Sequence, residues 1–145
     1  MLDLPFNHTV TLIVITAIIS FIAFSKEKVM NRLIFWPPAL ERGQYDRFIT
    51  HGFVHADGTH LLFNMITLFF FGSIIESFYR QYLYDLGFVL FYLGGLIFAI
   101  LPSYLKHKND VRWASLGASG AVSAVLFAYI LFQPWNLIFV FFIPV

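Results

Sequence analysis

The sequence contains no cysteine and few charged residues. Cysteine is absent from all 145 residues, which excludes a disulfide framework, a thiol nucleophile and thiolate metal ligands. Only 12% of the residues are charged, whereas a soluble domain has about a quarter. The net charge of +1 gives no electrostatic reason to expect a nucleic-acid partner. In contrast, 59% of the residues are hydrophobic, which indicates an integral, multi-pass membrane protein.

Apolar runs predict four membrane-spanning helices and the beginning of a fifth. The first four runs cover residues 9–24, 58–78, 86–105 and 113–132. Each approaches the roughly 20 residues that a helix needs to cross a bilayer. Residues 135–145 are predicted to begin a fifth helix, although eleven residues rise only about 16 Å. No repeat or flexible linker divides the chain, so we expect an all-α membrane protein whose residues 1–145 form a single domain.

The stretch between the first two runs, residues 25–57, has a different composition. It mixes five basic residues with Trp36 and two prolines, which predicts a structured loop at the membrane interface. Within it, Arg47 is expected to bond loop carbonyls or a carboxylate. His51 and His55 are expected to brace the loop rather than take part directly in chemistry.

The fourth run is crowded with small residues around a serine. Residues 117–121 read Gly-Ala-Ser-Gly-Ala, which removes side-chain volume around the Ser119 hydroxyl. One interpretation is a nucleophile with room for a substrate. The other is helix packing, since small residues at four-residue spacing, such as Gly120 and Ala124, let membrane helices approach closely.

His60 and Asn64 are predicted to lie near Ser119. They are four residues apart and project from one face of the second helix. The second and fourth helices run in the same direction, so their N-terminal ends lie on one side of the membrane. Asn64 and Ser119 each lie six residues after the predicted helix start, or about 9 Å along the axis. A hydroxyl and two hydrogen-bond donors at one depth suit acyl transfer, in which donors stabilise the oxyanion. Interhelical hydrogen bonding of His60 and Asn64 is the alternative.

Taken together, these motifs resemble the rhomboid intramembrane serine proteases. The resemblance is carried by His60-x-x-x-Asn64, by the spacing of His51, His55 and His60, and by Gly117-Ala-Ser-Gly120. It implies a rhomboid-like helix bundle with Ser119 as nucleophile and an oxyanion hole formed by His60, Asn64 and the Ser119 N–H. It also implies transmembrane proteins as substrates, the lipid bilayer as surroundings, and no metal or organic cofactor. Gly117, Gly120, Arg47, His51 and His55 take supporting positions.

The sequence departs from this family in two ways. The family's general base is a histidine on a sixth transmembrane helix, which this chain does not reach, so the domain is expected to be incomplete at its C-terminus. A serine without a base is a poor nucleophile, and we expect the 145 residues alone not to hydrolyse substrate. In addition, Ser123 stands where the family often has an aromatic ring against the catalytic histidine.

The distribution of basic residues and the family resemblance predict opposite orientations of the chain in the membrane. Eight of the nine Lys and Arg residues fall in the loops before the second and fourth helices, which would place those loops in the cytoplasm. The resemblance implies a site that opens outward, and we expect that orientation in a bacterial plasma membrane. Glu76 lies near the other end of the second helix and is expected to be a snorkelling or paired carboxylate rather than a catalytic group.

Two other functions remain open from the sequence. A non-catalytic relative could bind transmembrane helices without cutting them, as the missing base would suggest. A histidine-box metalloenzyme is suggested by His51-x-x-x-His55, although the chain has only five histidines and such membrane di-iron sites need about eight.

Overall fold

The protein is a bundle of membrane helices capped at one end by an interfacial loop. The computed structural model describes residues 7–84, 86–136, 139–140 and 143–144. In chain order the elements are α1 (His8–Ser25), α2 (Glu27–Leu33), α3 (Pro37–Leu40), α4 (Arg47–Thr50), α5 (Gly58–Thr67), α6 (Ser73–Leu83), α7 (Gly87–His107), α8 (Ser119–Phe132), β1 (Phe139–Val140) and β2 (Ile143–Pro144). Three helices, His8–Ser25, Gly58–Leu83 and Gly87–His107, are long and apolar enough to cross a membrane. Large apolar side chains such as Phe21, Leu90 and Phe98 are exposed on them, as a lipid solvent allows. The predicted all-α membrane architecture is confirmed.

The second spanning helix is longer than the sequence predicts. It joins α5 to α6 through a π-helical turn, Leu68–Gly72, and ends at Leu83 rather than at residue 78. The extension is stabilised by Tyr79, whose ring stacks on Phe91 of α7 at 5.1 Å. At the π-helical turn, a Cβ on Gly72 would lie 2.8 Å from Thr9, so α1 crosses this helix at close range.

The interfacial loop is ordered by buried polar contacts. It contains α2, α3, α4 and a 3-10 turn, His51–Phe53. Arg47 is only 4% exposed, and its guanidinium donates to the carbonyls of Asn31 and Ile34 and to the side chain of Gln44. The predictions of a structured loop and of an arginine bonded to loop carbonyls are therefore confirmed.

α7 and α8 pack against each other over an extensive interface. Small residues bring the two backbones together: a Cβ on Gly95 would lie 3.0 Å from the Ala121 Cα, and one on Gly120 would lie 2.4 Å from the Ala99 Cβ. The main core continues from this interface into α1, the second spanning helix with its π-helical turn, and α7. Its buried side chains include Leu12, Leu61, Leu68, Ile75, Phe88, Tyr92 and Leu96.

The fourth predicted span is wrong in its first six residues. The helix begins at Ser119, not at residue 113, and its 14 residues rise about 21 Å, short of a ~30 Å hydrocarbon core. Ser115 instead pairs with Phe35 through two backbone hydrogen bonds of 2.8 and 2.9 Å. Gly117 has φ +110°, which is incompatible with a right-handed helix. Within the described part of the chain, three full spans and one shorter helix therefore replace the four full spans of the prediction.

The predicted fifth helix is also wrong where the structure describes it. After α8, residues 134–136 form a turn, and β1 pairs with β2 in antiparallel register. The other residues of this segment, 137–138, 141–142 and 145, lie outside the described part. An isolated helix of eleven residues is marginal, and β-branched and aromatic residues together with Pro144 favour extended structure.

Candidate active site

Ser119 lies at the first turn of α8, directly after a sharp change in chain direction. It is the first residue of the helix and its side chain is exposed. The change of direction is made by Gly117, whose positive φ is accessible to glycine at little cost. The first four N–H groups of a helix have no partner within the helix and point at its N-terminus, where they favour negative charge. The Ser119 side chain therefore stands where an anion is stabilised.

Two backbone N–H groups of this turn are held by the interfacial loop. The Gly117 N–H donates to the His51 carbonyl at 2.8 Å, and the Ala118 N–H donates to Nε2 of the His55 ring at 3.3 Å. Since Ser115 is also paired with Phe35, residues of the interfacial loop fix the chain on the approach to Ser119. His51 and His55 thus do more than brace their own loop.

His60 lies directly against the same turn. A Cβ on Gly117 would lie 2.7 Å from Cε1 and 3.0 Å from Nε2 of the His60 ring, so only glycine leaves room for the imidazole. The His60 ring also contacts His55 edge to face, with 4.9 Å between ring centroids. The sequence prediction that the start of the second span and residues 117–120 lie at the same end of the bundle agrees with this contact.

Asn64 lies one turn further along α5 and is buried. It is 7% exposed, and its Nδ2 donates to the His60 carbonyl at 3.0 Å. This bond uses one of the two amide hydrogens, so the second remains as a donor. The N-terminus of α5 is fixed by Asp57, whose side chain accepts from the His60 N–H.

A cavity of about 200 Å³ opens beside Ser119. Its walls are formed by the turn before α8, by His51 and by one face of α7: His51, Ala99, Ile100, Ser103, Ser115, Leu116, Gly117, Ser119 and Gly120. His60 and Asn64 are not among these lining residues of the described chain; His60 lies behind Gly117. Sequence reasoning missed the wall from α7, because nothing in an apolar span marks which face meets a distant turn.

The electrostatics of the loop favour neutral histidines. Burial lowers the pKa of His51, although its hydrogen bond to the Arg47 carbonyl opposes the shift. Burial, together with the neighbouring His60, lowers the pKa of His55 to about 4. Both rings are therefore uncharged near neutral pH, and they act beside Ser119 as hydrogen-bonding groups rather than as cations.

Comparison with known proteins identifies the architecture. The family model described as Rhomboid domain matches residues 42–145, which include the end of the interfacial loop, α5 and the turn at Ser119. The chain belongs to the rhomboid family. The RHOMBOID-like protein 12, mitochondrial, of Arabidopsis thaliana is 33% identical over 135 residues, covering 84% of this chain and 40% of that protein. The rhomboid protease GlpG of Enterobacter sp. (strain 638) is 33% identical over 104 residues, covering 69% and 33% respectively. The rhomboid protease AarA of Providencia stuartii is 26% identical over 98 residues, covering 62% and 35%. The chain thus spans about 40% or less of the length of these relatives.

Elsewhere in this rhomboid domain, one acidic residue is buried in a spanning helix. Glu76 is 2% exposed, and its Oε1 accepts from the His8 N–H at 2.8 Å, from His8 Nδ1 at 3.0 Å and from Arg80 at 3.2 Å. Its Oε2 accepts from the N–H and the hydroxyl of Thr9 at 2.9 and 2.7 Å. The carboxylate caps the start of α1, at the opposite end of the bundle from Ser119. The paired alternative of the sequence analysis is confirmed.

The rhomboid domain has a second, larger hollow away from Ser119. It is an open depression of about 600 Å³ where α1, α2 and the start of α5 meet, and Glu27, Met30 and Asp57 are among its walls. Among its described walls, the Ser25 hydroxyl donates to the Phe21 carbonyl of its own helix, and the Asp57 side chain is engaged as the N-cap of α5. Within the described residues, no group of three or more His, Asp or Glu side chains is placed to hold a metal ion.

Proposed function

We propose that this rhomboid is an intramembrane serine endopeptidase that cleaves peptide bonds in or near transmembrane segments of other proteins. The observation that carries the proposal is the exposed Ser119 hydroxyl at a helix N-terminus, beside a cavity and next to a histidine-lined turn. The relatives whose names describe them as rhomboid proteases, GlpG and AarA, support the same activity.

In the proposed mechanism the Ser119 Oγ attacks the carbonyl carbon of the scissile bond. Its proton passes to a general base, and the carbonyl oxygen becomes an oxyanion bound by the Ser119 N–H, the His60 ring and the remaining Asn64 amide hydrogen. Removing one such donor typically costs about 2.7 to 4 kcal/mol of transition-state stabilisation. The intermediate collapses, the amine leaves with the proton from the base, and water then hydrolyses the acyl-enzyme to release the acid and regenerate the serine.

Four of the five histidines are engaged elsewhere, and the fifth, His51, uses its Nδ1 to donate to the Arg47 carbonyl. His8 is bonded to Glu76 at the opposite end of the bundle, and His107 stacks on Trp113 with 4.8 Å between centroids. Both ring nitrogens of His55 are engaged, and His60 is assigned to the oxyanion. We therefore propose that the 145 residues alone are inactive and that the full-length protein supplies the base. Ser119-dependent cleavage by the 145-residue polypeptide would contradict this and would direct attention to His51, which lines the cavity.

The test of the proposed function is cleavage of a helical substrate in proteoliposomes by the full-length protein. We expect cleavage within or next to the transmembrane segment, complete loss with Ser119→Ala, and wild-type rates with Ser77→Ala, which removes an exposed hydroxyl of α6 at the other end of the bundle. A folded wild-type protein that binds the segment without cutting it would replace this proposal with the non-catalytic module.

We propose the bacterial plasma membrane as the location, with the Ser119 end facing outward. Bacterial relatives support the location, whereas relatives in plant mitochondria and chloroplasts would place the same fold in organelles. Because the chain has no cysteine, Lys106→Cys and Tyr82→Cys each introduce one label site on opposite sides. In intact cells an impermeant maleimide should label position 106 and not position 82. The reverse pattern would establish the inverted orientation.

A further inference from the structure

A line of hydrogen bonds runs from α1 through His55 to the residue before Ser119. Ser20 on α1 lies 3.0 Å from the Phe53 carbonyl and 3.0 Å from His55 Nδ1. On the other side of the ring, Nε2 accepts from the Ala118 N–H at 3.3 Å. Ser20, His55 and Ala118 are all 0% exposed, so water does not compete for these groups.

The partners of His55 fix its tautomer. The Ala118 N–H is a donor, so Nε2 must carry a lone pair. The Ser20 hydroxyl has one proton, which it donates to the Phe53 carbonyl, so Nδ1 must donate to the Ser20 oxygen. A ring protonated on Nε2 would direct its proton at the Ala118 N–H. The geometry is therefore satisfied by the neutral imidazole with its proton on Nδ1.

We infer that His55 is a positioning residue for catalysis, holding the Ala118 backbone so that Ser119 and its N–H are aimed at the cavity. The inference rests on the proposed function, because positioning matters only if Ser119 reacts. Ala118 is the N-cap of α8, and its carbonyl forms the peptide that carries the Ser119 N–H. A small tilt at Ala118 moves the nucleophile and the oxyanion donor together. Misplacement by about 1 Å at a reacting centre can cost a hundredfold in rate.

The adjacent contact at Gly117 provides an internal reference. The Gly117 N–H donates to a backbone carbonyl, that of His51, so it does not depend on any imidazole. If His55 positions Ala118 as inferred, a change of its side chain should release the Ala118 N–H and leave the Gly117 N–H protected. A general loosening of the loop would release both.

Two substitutions distinguish the contact made by Nε2 of the His55 ring from the contact made by Nδ1. In His55→Gln the side-chain oxygen can occupy the place of Nε2 and accept from the Ala118 N–H. In His55→Asn the amide can still donate to Ser20 but is too short to reach Ala118. The variants therefore differ in the one contact that matters to the inference, while both keep a polar side chain beside Ser20.

The experiment measures kcat, KM and amide exchange in the full-length protein in lipid nanodiscs. For His55→Asn we expect kcat to fall tenfold to a hundredfold with KM within about twofold, and Ala118 exchange to accelerate at least tenfold while Gly117 exchange is unchanged. For His55→Gln we expect kcat within about threefold of wild type. Imidazole ¹⁵N shifts of the wild type should show the Nδ1–H tautomer.

The inference is overturned if both variants keep wild-type kcat, if both lose activity only in proportion to their folded fraction, or if the ring is an Nε2–H tautomer. A wild-type protein that does not cleave substrate would instead remove the proposed function. In that case an exchange pattern specific to Ala118 would still establish the role of His55 in holding the turn, and its absence would refute that role.

Discussion

The two ends of this bundle use buried polar groups in different ways. At the Glu76 end, two backbone N–H groups, a hydroxyl, a histidine and an arginine all converge on one carboxylate. At the Ser119 end, the histidines bond to backbone groups, and the serine hydroxyl is left exposed beside a cavity. The first arrangement leaves no acceptor free and holds α1 to α6. The second holds a backbone turn and leaves the Ser119 hydroxyl available.

Burial of a charged or polar residue in a membrane helix therefore does not by itself indicate a catalytic role. Glu76 is more buried than Ser119 and has more partners, yet its contacts are those of a helix cap. We therefore expect substitutions at the Glu76 end to change stability with little effect on reactivity. Substitutions around Ser119 should change reactivity at smaller cost to stability.

The largest effect is expected from Glu76→Leu. Loss of the carboxylate strands the His8 and Thr9 N–H groups and the Thr9 hydroxyl, and breaking a buried pair typically costs about 3 to 5 kcal/mol. In SDS titrations of the full-length protein, the free energy of unfolding should fall by this amount. The fraction that remains folded should keep the specific proteolytic activity of the wild type. Glu41→Gln, at an exposed position, should change stability by less than about 0.5 kcal/mol. Equal losses of stability from the two substitutions would show that the Glu76 contacts do not stabilise the fold.

The next largest effect is a loss of stability at acidic pH, which we expect from His55 at the Ser119 end of the bundle. The folded pKa of His55 is about 4, below the 6.5 of an ordinary histidine, because of burial and of His60, with Asp57 opposing. The unfolded chain therefore binds the proton more readily. Stability is fully present above pH 6.5 and is lost as the pH falls towards 4, by up to about 3 kcal/mol. His51 contributes in the same direction.

This pH dependence is measured as the free energy of unfolding at intervals between pH 7.5 and pH 4.5. His55→Gln, which cannot titrate, should have a flatter profile than the wild type in this window. A wild-type stability that is constant or rises on acidification would show that His55 is not held neutral by the fold.

A smaller effect on stability is expected from Gly120→Ala, which tests the close contact between α7 and α8 beside the cavity. The added Cβ would lie 2.4 Å from the Ala99 Cβ, and overpacking of this kind costs about 1 to 3 kcal/mol. Ala99→Gly in the same molecule moves the methyl group from one helix to the other and should restore most of the stability. A double mutant as unstable as Gly120→Ala would mean that the contact between α7 and α8 does not set the cost.

The smallest effects are expected at the adjacent glycines in the middle of α7. A Cβ on Gly95 would meet the Ala121 backbone at 3.0 Å, so Gly95→Ala should cost about 1 kcal/mol. The nearest atom to a Cβ on Gly94 is 4.0 Å away, on Phe98, so Gly94→Ala should stay within about 0.5 kcal/mol. Unfolding titrations of both variants test whether sensitivity follows the α7–α8 contact. An equal loss of unfolding free energy at both positions would indicate that α7 requires flexible glycines there, rather than close contact with α8.

Much of the fold could be predicted because the length of an apolar run fixes a membrane helix. Residues 9–24, 58–78 and 86–105 correspond to His8–Ser25, Gly58–Leu83 and Gly87–His107. The start of α8 could not be predicted from residues 113–118, which are as compatible with a helix as with an extended strand. Their conformation is decided by the backbone pairing of Ser115 with Phe35, a residue from a distant part of the chain.

The sequence allowed us to predict the side chains of the candidate site, but not the backbone contacts that hold them. The small residues around Ser119 and the spacing of His60 and Asn64 indicated the site, and helix direction put both groups at one end. The hydrogen bond from Ala118 to His55 has no sequence signature, because any residue but proline offers a backbone N–H. The cavity wall from Ala99 and Ser103 likewise depends on how α7 and α8 pack.

Covalent labelling can show whether Ser119 is a nucleophile. The folded full-length protein, in lipid, is treated with a fluorophosphonate and digested, and the adduct is located by mass spectrometry. We expect an adduct on Ser119 that is lost in Ser119→Ala and retained in Ser77→Ala. Labelling that is absent from the folded wild type, or that persists in Ser119→Ala, would contradict it.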